Sequence, residues 1–158
     1  ACRHIHGHQG KVQVFLEGPE LDDRSMIIDF KELGFMKDFI DDYLDHKFII
    51  DRNDPMFEFL VVDLFKKATG LSCLNTLPVI IVNRNIGQTI HLASCKPGTP
   101  EYEILEGFFI VDFVPTSENL SKWLHYIVQH RLEEFNVKVQ RVEFWETPKS
   151  RSTYIAED

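Results

Sequence analysis

Both ends of this 158-residue chain alternate apolar and polar side chains, a two-residue period that is typical of β-strands. Residues 11–16 are predicted to form one strand, with two valines and a leucine on one face. Residues 137–146 are predicted to form another, and Glu146 at its end lies in line with apolar residues. A carboxylate in that position is partly buried and needs a partner.

Helical patterns lie inside these two ends. A short apolar strand is predicted at residues 26–30, where Asp29 resembles the cap of a helix spanning about 33–44. A second helix opens at Pro115–Asn119, and its apolar stripe runs to Leu132. The order of strand, strand, helix, middle segment, helix and strand predicts an α+β protein with helices on one face of a sheet.

The middle segment, about residues 55–112, has weaker patterns. Gly70 is a candidate helix stop, and residues 84–87 are a candidate hairpin turn. A chain of this length is expected to form one domain, residues 1–158. The patterns predict a helix and three strands, at residues 57–68, 77–82, 89–92 and 108–114.

Charge and composition restrict the partners. The net charge of −8 argues against nucleic acid, because phosphate binding needs clustered lysine and arginine. No apolar run approaches the roughly 20 residues of a membrane span, and no signal peptide opens the sequence. Cys2, Cys73 and Cys95 have no CxxC spacing, which favours a reducing compartment. We therefore expect a cytoplasmic protein without a nucleic-acid or membrane partner.

The segment Cys2-x-x-x-His6-Gly7-His8 is the strongest candidate for chemistry. Two histidines two residues apart on an extended chain point to the same side, and Cys2 follows the same phase if the extension reaches it. Two imidazoles and a thiol suit a zinc site in which the cysteine does proton or nucleophile chemistry. From these residues alone, a histidine-rich surface segment is the alternative.

Five segments follow one another along the chain: Cys2–His8, Met26–Phe30, Leu44–Lys47, Pro115–Asn119, and Phe144–Thr147 with Tyr154 behind it. In this order they resemble the family of 6-pyruvoyl-tetrahydropterin and 6-carboxy-5,6,7,8-tetrahydropterin synthases. The resemblance implies the tunnelling fold, in which a four-stranded antiparallel sheet carries two helices on one face. Trimers of such subunits close a barrel, two trimers stack into a homo-hexamer, and active sites lie between subunits.

The chain departs from the family in two places. The middle segment, about residues 55–112, is longer than the corresponding segment in the family and is interpreted as an insertion. The family's first strand, which ends in a third histidine ligand for zinc, is expected upstream of residue 1.

The resemblance also implies residue roles. His6 and His8 are expected to bind zinc, and Cys2 is expected to act as a thiolate base, since a nearby cation lowers the pKa of a thiol. Asp45 and His46 are expected to form the second acid–base group, although the sequence leaves open whether they contact each other.

The implied substrate is 7,8-dihydroneopterin triphosphate. Glu146 is expected to anchor the pterin by accepting two hydrogen bonds from its amino-pyrimidine edge, and Thr116 and Ser117 are expected to line the pterin pocket. Loss of triphosphate requires basic groups. The candidates are Lys47, Arg3 and Lys11.

The spacing of three residues between Cys2 and His6 resembles the 6-carboxytetrahydropterin branch, which releases acetaldehyde and feeds deazapurine (queuosine-type) biosynthesis. Two alternatives stay open. The chain could make a different pterin, including the 6-pyruvoyl compound, or it could be a non-catalytic pterin-binding homologue. A third branch of the family carries glutamate immediately before His-Gly-His, and Ile5 argues against it.

Overall fold

The structure is a computed structural model that describes residues 6–70, 79–83 and 86–157. The chain forms two compact units: unit 1 comprises Ala1–Gly34 and Thr116–Asp158, and unit 2 comprises Phe35–Pro115. Each unit contains a β-sheet, so the predicted α+β class is confirmed. In chain order the elements are β1 (Lys11–Glu17), α1 (Gly34–Tyr43), β2 (Phe48–Asp51), α2 (Asp63–Thr69), β3 (Val79–Asn83), β4 (Gly87–Ile90), α3 (Pro100–Glu106), β5 (Phe108–Val111), α4 (Ser117–Leu132), β6 (Lys138–Thr147) and β7 (Ser150–Ile155).

The sheet of unit 1 has the strand order β1-β6-β7, and both pairings are antiparallel. Val14 lies opposite Val142, and the register shifts beyond Phe15. The predicted strands at residues 11–16 and 137–146 are therefore confirmed. Among the described residues this sheet has three strands, and the predicted four-stranded antiparallel sheet stays a prediction.

Helix α4 packs against one face of this sheet. The predicted stripe is confirmed, because Leu120, Leu124, Ile127, Val128 and Leu132 are all buried. His125 Nε2 lies 2.8 Å from the carbonyl oxygen of Val139 on β6. The Gln129 amide bridges the same strand by donating to the Val137 carbonyl and accepting from the Val139 N–H. These contacts fix the helix to the sheet.

The predicted strand at residues 26–30 is wrong. Asp22 Oδ1 accepts hydrogen bonds from the backbone N–H groups of Arg24 and Met26, which folds this segment into a turn. Asp29 then accepts from the Lys31 N–H at 3.0 Å and caps a 3₁₀ helix, Phe30–Leu33. The predicted cap at Asp29 is confirmed, but the polar side chains hold the residues before it in turns.

The sheet of unit 2 has the order β2-β5-β4-β3, with β2 parallel to β5 and the other pairs antiparallel. All four residues of β5 are buried, as expected for a central strand covered on both faces. Phe65 of α2 and Leu105 of α3 are fully buried in the same core. The ring of Tyr43 on α1 lies 5.5 Å from that of Phe109 on β5.

Several predictions for the middle segment are confirmed. A π-helix, Glu58–Val62, continues into α2, and Gly70 ends that helix in the left-handed conformation at φ 66°. Strands β3 and β4 form the predicted hairpin, although its residues 84 and 85 lie outside the described residues. The end of α1 at Tyr43 matches the predicted end near residue 44.

Three elements are not predicted by the sequence patterns: β2, α3 and β7. Thr99 caps α3 and Pro100 occupies its first turn, which together are a helix-start signal. In the sequence the same residues resemble a loop. No helix in the described ranges combines the length and the apolar content that a bilayer crossing requires. The interpretation of residues 55–112 as an insertion stays a prediction.

Candidate active site

The imidazole rings of His6 and His8 face each other just before β1. Their Nε2 atoms lie 2.9 Å apart, so one ring donates a hydrogen bond to the other. The ring centroids are 4.7 Å apart and the ring planes meet at 72°. Because β1 begins at Lys11, this pair belongs to the segment that leads into the strand. The i, i+2 spacing has brought two imidazole nitrogens close together.

Glu146 on β6 lies beside this pair. Its Oε1 is 3.6 Å from Nε2 of His8, the same nitrogen that faces His6. The side chains of His8 and Glu146 are 35% and 43% exposed, so a ligand can reach both from solvent. The sequence pattern requires a partner for Glu146, and His8 is the partner in this structure.

The two histidines suit a metal ion. Zinc–nitrogen bonds of about 2.0–2.1 Å in tetrahedral geometry separate two ligand nitrogens by about 3.3 Å. The observed 2.9 Å between the Nε2 atoms is about 0.4 Å shorter, which a small rotation of either ring corrects. In the three described ranges, no group of three His, Cys, Asp or Glu side chains assembles into a metal site. These ranges therefore supply a two-histidine donor pair with a carboxylate next to it.

The N-terminus of α4 forms a second polar group. Thr116 Oγ1 accepts a hydrogen bond from the Asn119 N–H at 3.3 Å and caps the helix. The Ser117 hydroxyl lies 2.7 Å from the Ser152 hydroxyl of β7 and donates to a carboxylate oxygen of Glu118. Hydrogen bonding lowers the pKa of Glu118 from its ordinary value, chiefly through its own backbone N–H, with the three hydroxyls adding to the effect.

Asp45 and His46 follow α1 in unit 2 and contact each other. Asp45 Oδ2 lies 3.0 Å from His46 Nδ1, which answers the question that the sequence left open. His46 has a left-handed backbone with φ 55°, a conformation that turns the chain sharply away from the helix. Its side chain is 92% exposed. Because Asp45 holds Nδ1, Nε2 is the nitrogen through which His46 can exchange a proton with a ligand.

The sequence profile of 6-pyruvoyl tetrahydropterin synthase matches residues 1–157 of this chain.

The chain belongs to the 6-pyruvoyl tetrahydropterin synthase family.

The chain is also similar to two individual proteins. It is 29% identical to the 6-carboxy-5,6,7,8-tetrahydropterin synthase of Aquifex aeolicus, over 99% of this chain and 76% of that protein. A crystal structure of an uncharacterized protein from Wolinella succinogenes is 41% identical, with a TM-score of 0.83, and the match covers 99% of this chain and 81% of that one.

A more distant structure tests the fold alone. The 6-pyruvoyl tetrahydropterin synthase of Plasmodium vivax is 18% identical, with a TM-score of 0.53, over 94% of this chain and 79% of that one. At this identity the likeness is one of fold. The α+β architecture of the family is thus found in the present chain.

The residues expected from the family motifs divide between the two units. Unit 1 contains the contacting group of His6, His8 and Glu146, and also the capping group of Thr116 and Ser117. Unit 2 contains the Asp45–His46 pair. Cys2, the expected base, lies outside the described residues, as does Cys73. The third cysteine, Cys95, is buried in unit 2, and burial raises the pKa of its thiol, which makes it a poor nucleophile.

Sequence reasoning missed Ser152 as a neighbour of the segment Pro115–Asn119, which itself includes Glu118. Both side chains contact Ser117, one from β7 and the other from the next position on α4. Glu118 follows the motif's serine directly in the sequence. The sequence signal for Ser152 is the weak alternation of residues 150–155, which is typical of a strand. Only the pairing of this strand with β6 places Ser152 next to the start of α4.

Proposed function

We propose that this chain is a zinc-dependent lyase that converts 7,8-dihydroneopterin triphosphate to 6-carboxy-5,6,7,8-tetrahydropterin, with release of acetaldehyde and triphosphate. Membership of the family and the resemblance to the Aquifex aeolicus synthase support this reaction class. The observation that carries the proposal is the convergence of the His6 and His8 Nε2 atoms next to Glu146. The product would enter deazapurine (queuosine-type) biosynthesis.

In this proposal His6 and His8 hold the zinc ion. When bound, zinc would acidify the side-chain hydroxyls of the substrate. Catalytic zinc usually has three protein ligands, so a third ligand besides these two histidines is expected. About a third of the His8 side chain is exposed, so a substrate can approach this residue from solvent.

Proton transfer is assigned to Cys2 and to the Asp45–His46 pair. The Cys2 thiolate would remove a proton from the substrate side chain. His46 would exchange a proton through Nε2 while Asp45 keeps its Nδ1 in place, 3.0 Å from the carboxylate. The high exposure of His46 is compatible with this role, because a substrate can approach its imidazole from solvent.

Pterin binding is assigned to Glu146, Thr116 and Ser117. The Glu146 carboxylate can accept two parallel hydrogen bonds from the amino-pyrimidine edge. The half-exposed carboxylate has room for such a ligand. Ser117 is held by Ser152 and Glu118, so its hydroxyl has a defined position at the start of α4.

The proposed assembly is a homo-hexamer made of two trimers, each closing a barrel of four-stranded subunit sheets. Strands β1 and β7 are the outer strands of the unit 1 sheet among the described residues, and outer strands can pair with further strands. In this assembly the active sites would lie between subunits.

A second candidate is the 6-pyruvoyl-tetrahydropterin synthase reaction, which also eliminates triphosphate. The family profile and the Plasmodium vivax fold relative carry that name. The two reactions require the same zinc ligands and differ in the pterin that is released.

Turnover of 7,8-dihydroneopterin triphosphate by the zinc-loaded protein, with mass identification of the pterin, tests the proposal. We expect the carboxy-pterin, and we expect His8→Ala to lower both zinc content and turnover by at least about a hundredfold, because it removes a metal ligand. His130→Ala is the matched control, since it removes an exposed histidine of α4 that lies near Glu133.

Cys2→Ala should abolish the product while zinc content stays at the wild-type level. A pyruvoyl product would replace the first candidate by the second. Full zinc content without any turnover would refute the lyase and leave the pterin-binding homologue, which equilibrium binding of the pterin would then test.

A further inference from the structure

The face of the unit 1 sheet opposite α4 carries three cations that strand pairing brings together. Across β1–β6 and β6–β7, Lys11 and Arg151 both lie opposite Trp145. The Lys11 ammonium is 5.5 Å and the Arg151 guanidinium 5.1 Å from the centre of the Trp145 ring. Four positions earlier on β6, the Arg141 guanidinium stacks 3.6 Å from the centre of the Phe15 ring. These five residues are called the cationic face.

One buried carboxylate serves two of these cations. Glu143 is 5% exposed and accepts hydrogen bonds from Arg151 Nη1 at 2.9 Å and from Arg141 Nε at 3.4 Å. Within the described part of the chain, Lys11 has no carboxylate oxygen within 4.0 Å. Three cations therefore share a single negative charge. The aromatic rings orient the cations without neutralising them.

The sign of this charge is opposite to that of the whole protein. The chain has a net charge of −8, so most of its surface repels anions. A compact excess of positive charge creates a local attractive potential, and anions concentrate there. Trp145 donates from Nε1 to Gln13 Oε1 at 3.1 Å, which fixes the ring that both Lys11 and Arg151 approach. The cations are thus held in a defined arrangement.

We propose that the cationic face is a binding site for an oligophosphate anion, and specifically for inorganic triphosphate. Half of the Arg151 side chain and about a third of the Arg141 side chain are exposed, so their remaining N–H groups can reach a ligand. A guanidinium fork binds two phosphate oxygens at once, whereas the Lys11 ammonium acts as a point charge. A chain of three phosphates can contact both kinds of group.

The identity of the anion rests on the proposed function, in which triphosphate is the leaving group. Retention of that product close to the protein would appear as product inhibition. The site itself rests on the described contacts and does not require turnover.

Isothermal titration of the zinc-loaded protein with inorganic triphosphate, at about 20 mM and about 200 mM salt, tests the inference. Lys11→Gln breaks no ion pair in the described part of the chain and should weaken binding about tenfold, the effect of one charge-assisted contact. Lys122→Gln on α4 removes the same charge from the same unit and should change affinity less than about twofold. Arg151→Lys keeps the charge but loses the fork, and it should also weaken binding.

Zinc content is measured for each variant, because triphosphate also chelates metals. Equal affinities of Lys11→Gln and Lys122→Gln would overturn the site, as would failure of the wild-type protein to bind triphosphate at the lower salt concentration. Triphosphate binding without pterin turnover would refute the proposed function and leave the site intact. Turnover with equal affinities in the two lysine variants would refute the site alone.

Discussion

In unit 1 the ten-residue strand β6 runs between two antiparallel partners, whereas unit 2 is built around the four-residue strand β5, which is buried along its whole length. One face of β6 packs under α4, and the other carries Arg141, Glu143 and Trp145. In unit 2 both faces of β5 are covered by apolar side chains. β6 thus has a face, opposite α4, that carries charged side chains, whereas both faces of β5 contribute to the apolar core.

The two units also position their candidate catalytic groups differently. Glu146 reaches His8 because β1 and β6, which are more than 100 residues apart, pair so that Lys11 lies opposite Trp145. Asp45 and His46 are neighbours in the sequence and need only a left-handed turn after α1 to present the imidazole to solvent. A site that depends on sheet register is lost when the sheet is disturbed, whereas a local pair survives as long as its helix ends correctly.

The largest expected effect concerns the core of unit 2. Phe65→Ala removes a fully buried ring and should lower the free energy of unfolding by about 3–5 kcal/mol. Urea denaturation measures this loss. Hydrogen exchange should show that protection falls first within residues 35–115. Phe59→Ala, at a ring that is 66% exposed in the same unit, should change stability by less than about 0.5 kcal/mol. Equal losses in the two variants would refute the description of the core.

A smaller effect is expected at the local pair. His46→Asn keeps a residue that tolerates the left-handed backbone, and it should lower turnover about a hundredfold without changing the thermal midpoint, because the side chain is exposed. Steady-state kinetics across pH measures the loss. His130→Asn alters another exposed histidine–carboxylate pair and should leave turnover unchanged. Wild-type turnover in His46→Asn would remove this pair from the mechanism.

The smallest effect concerns the start of α4. Because the pKa of Glu118 is lowered in the folded protein, its carboxylate stabilises the fold above the ordinary value of 4.5, and this contribution disappears as the pH falls through the lowered pKa. The thermal midpoint of Glu118→Gln should therefore lie below that of the wild type at pH 7, and the two should converge once the pH lies below the lowered pKa of Glu118. Glu134→Gln, at an exposed carboxylate of the same unit, serves as the control. A difference that persists in acid would mean that the ionised carboxylate is not the cause.

The local patterns of this chain predicted much of its fold. Strands β1 and β6, the stripe of α4 and the stop at Gly70 follow from periodicity and from single residues with strong preferences. The strand expected at residues 26–30 failed because Asp22 and Asp29 use their carboxylates to hold nearby backbone N–H groups in turns. An apolar run is a weak strand signal when such side chains compete for its backbone.

The sequence by itself determined the chemistry that is available: two histidines at i, i+2 whose nitrogens converge, and an Asp–His pair at a helix end. Both are short-range features. The period of an extended chain predicts that His6 and His8 point to the same side, whereas the contact between Asp45 and His46 became known only from the structure. Only the tertiary structure decided that Glu146 meets His8, that Ser152 meets Ser117, and that Lys11 and Arg151 approach the same indole ring. Strand register brings those residues together across the sheet, and register depends on the packing of whole strands, because no single residue specifies it.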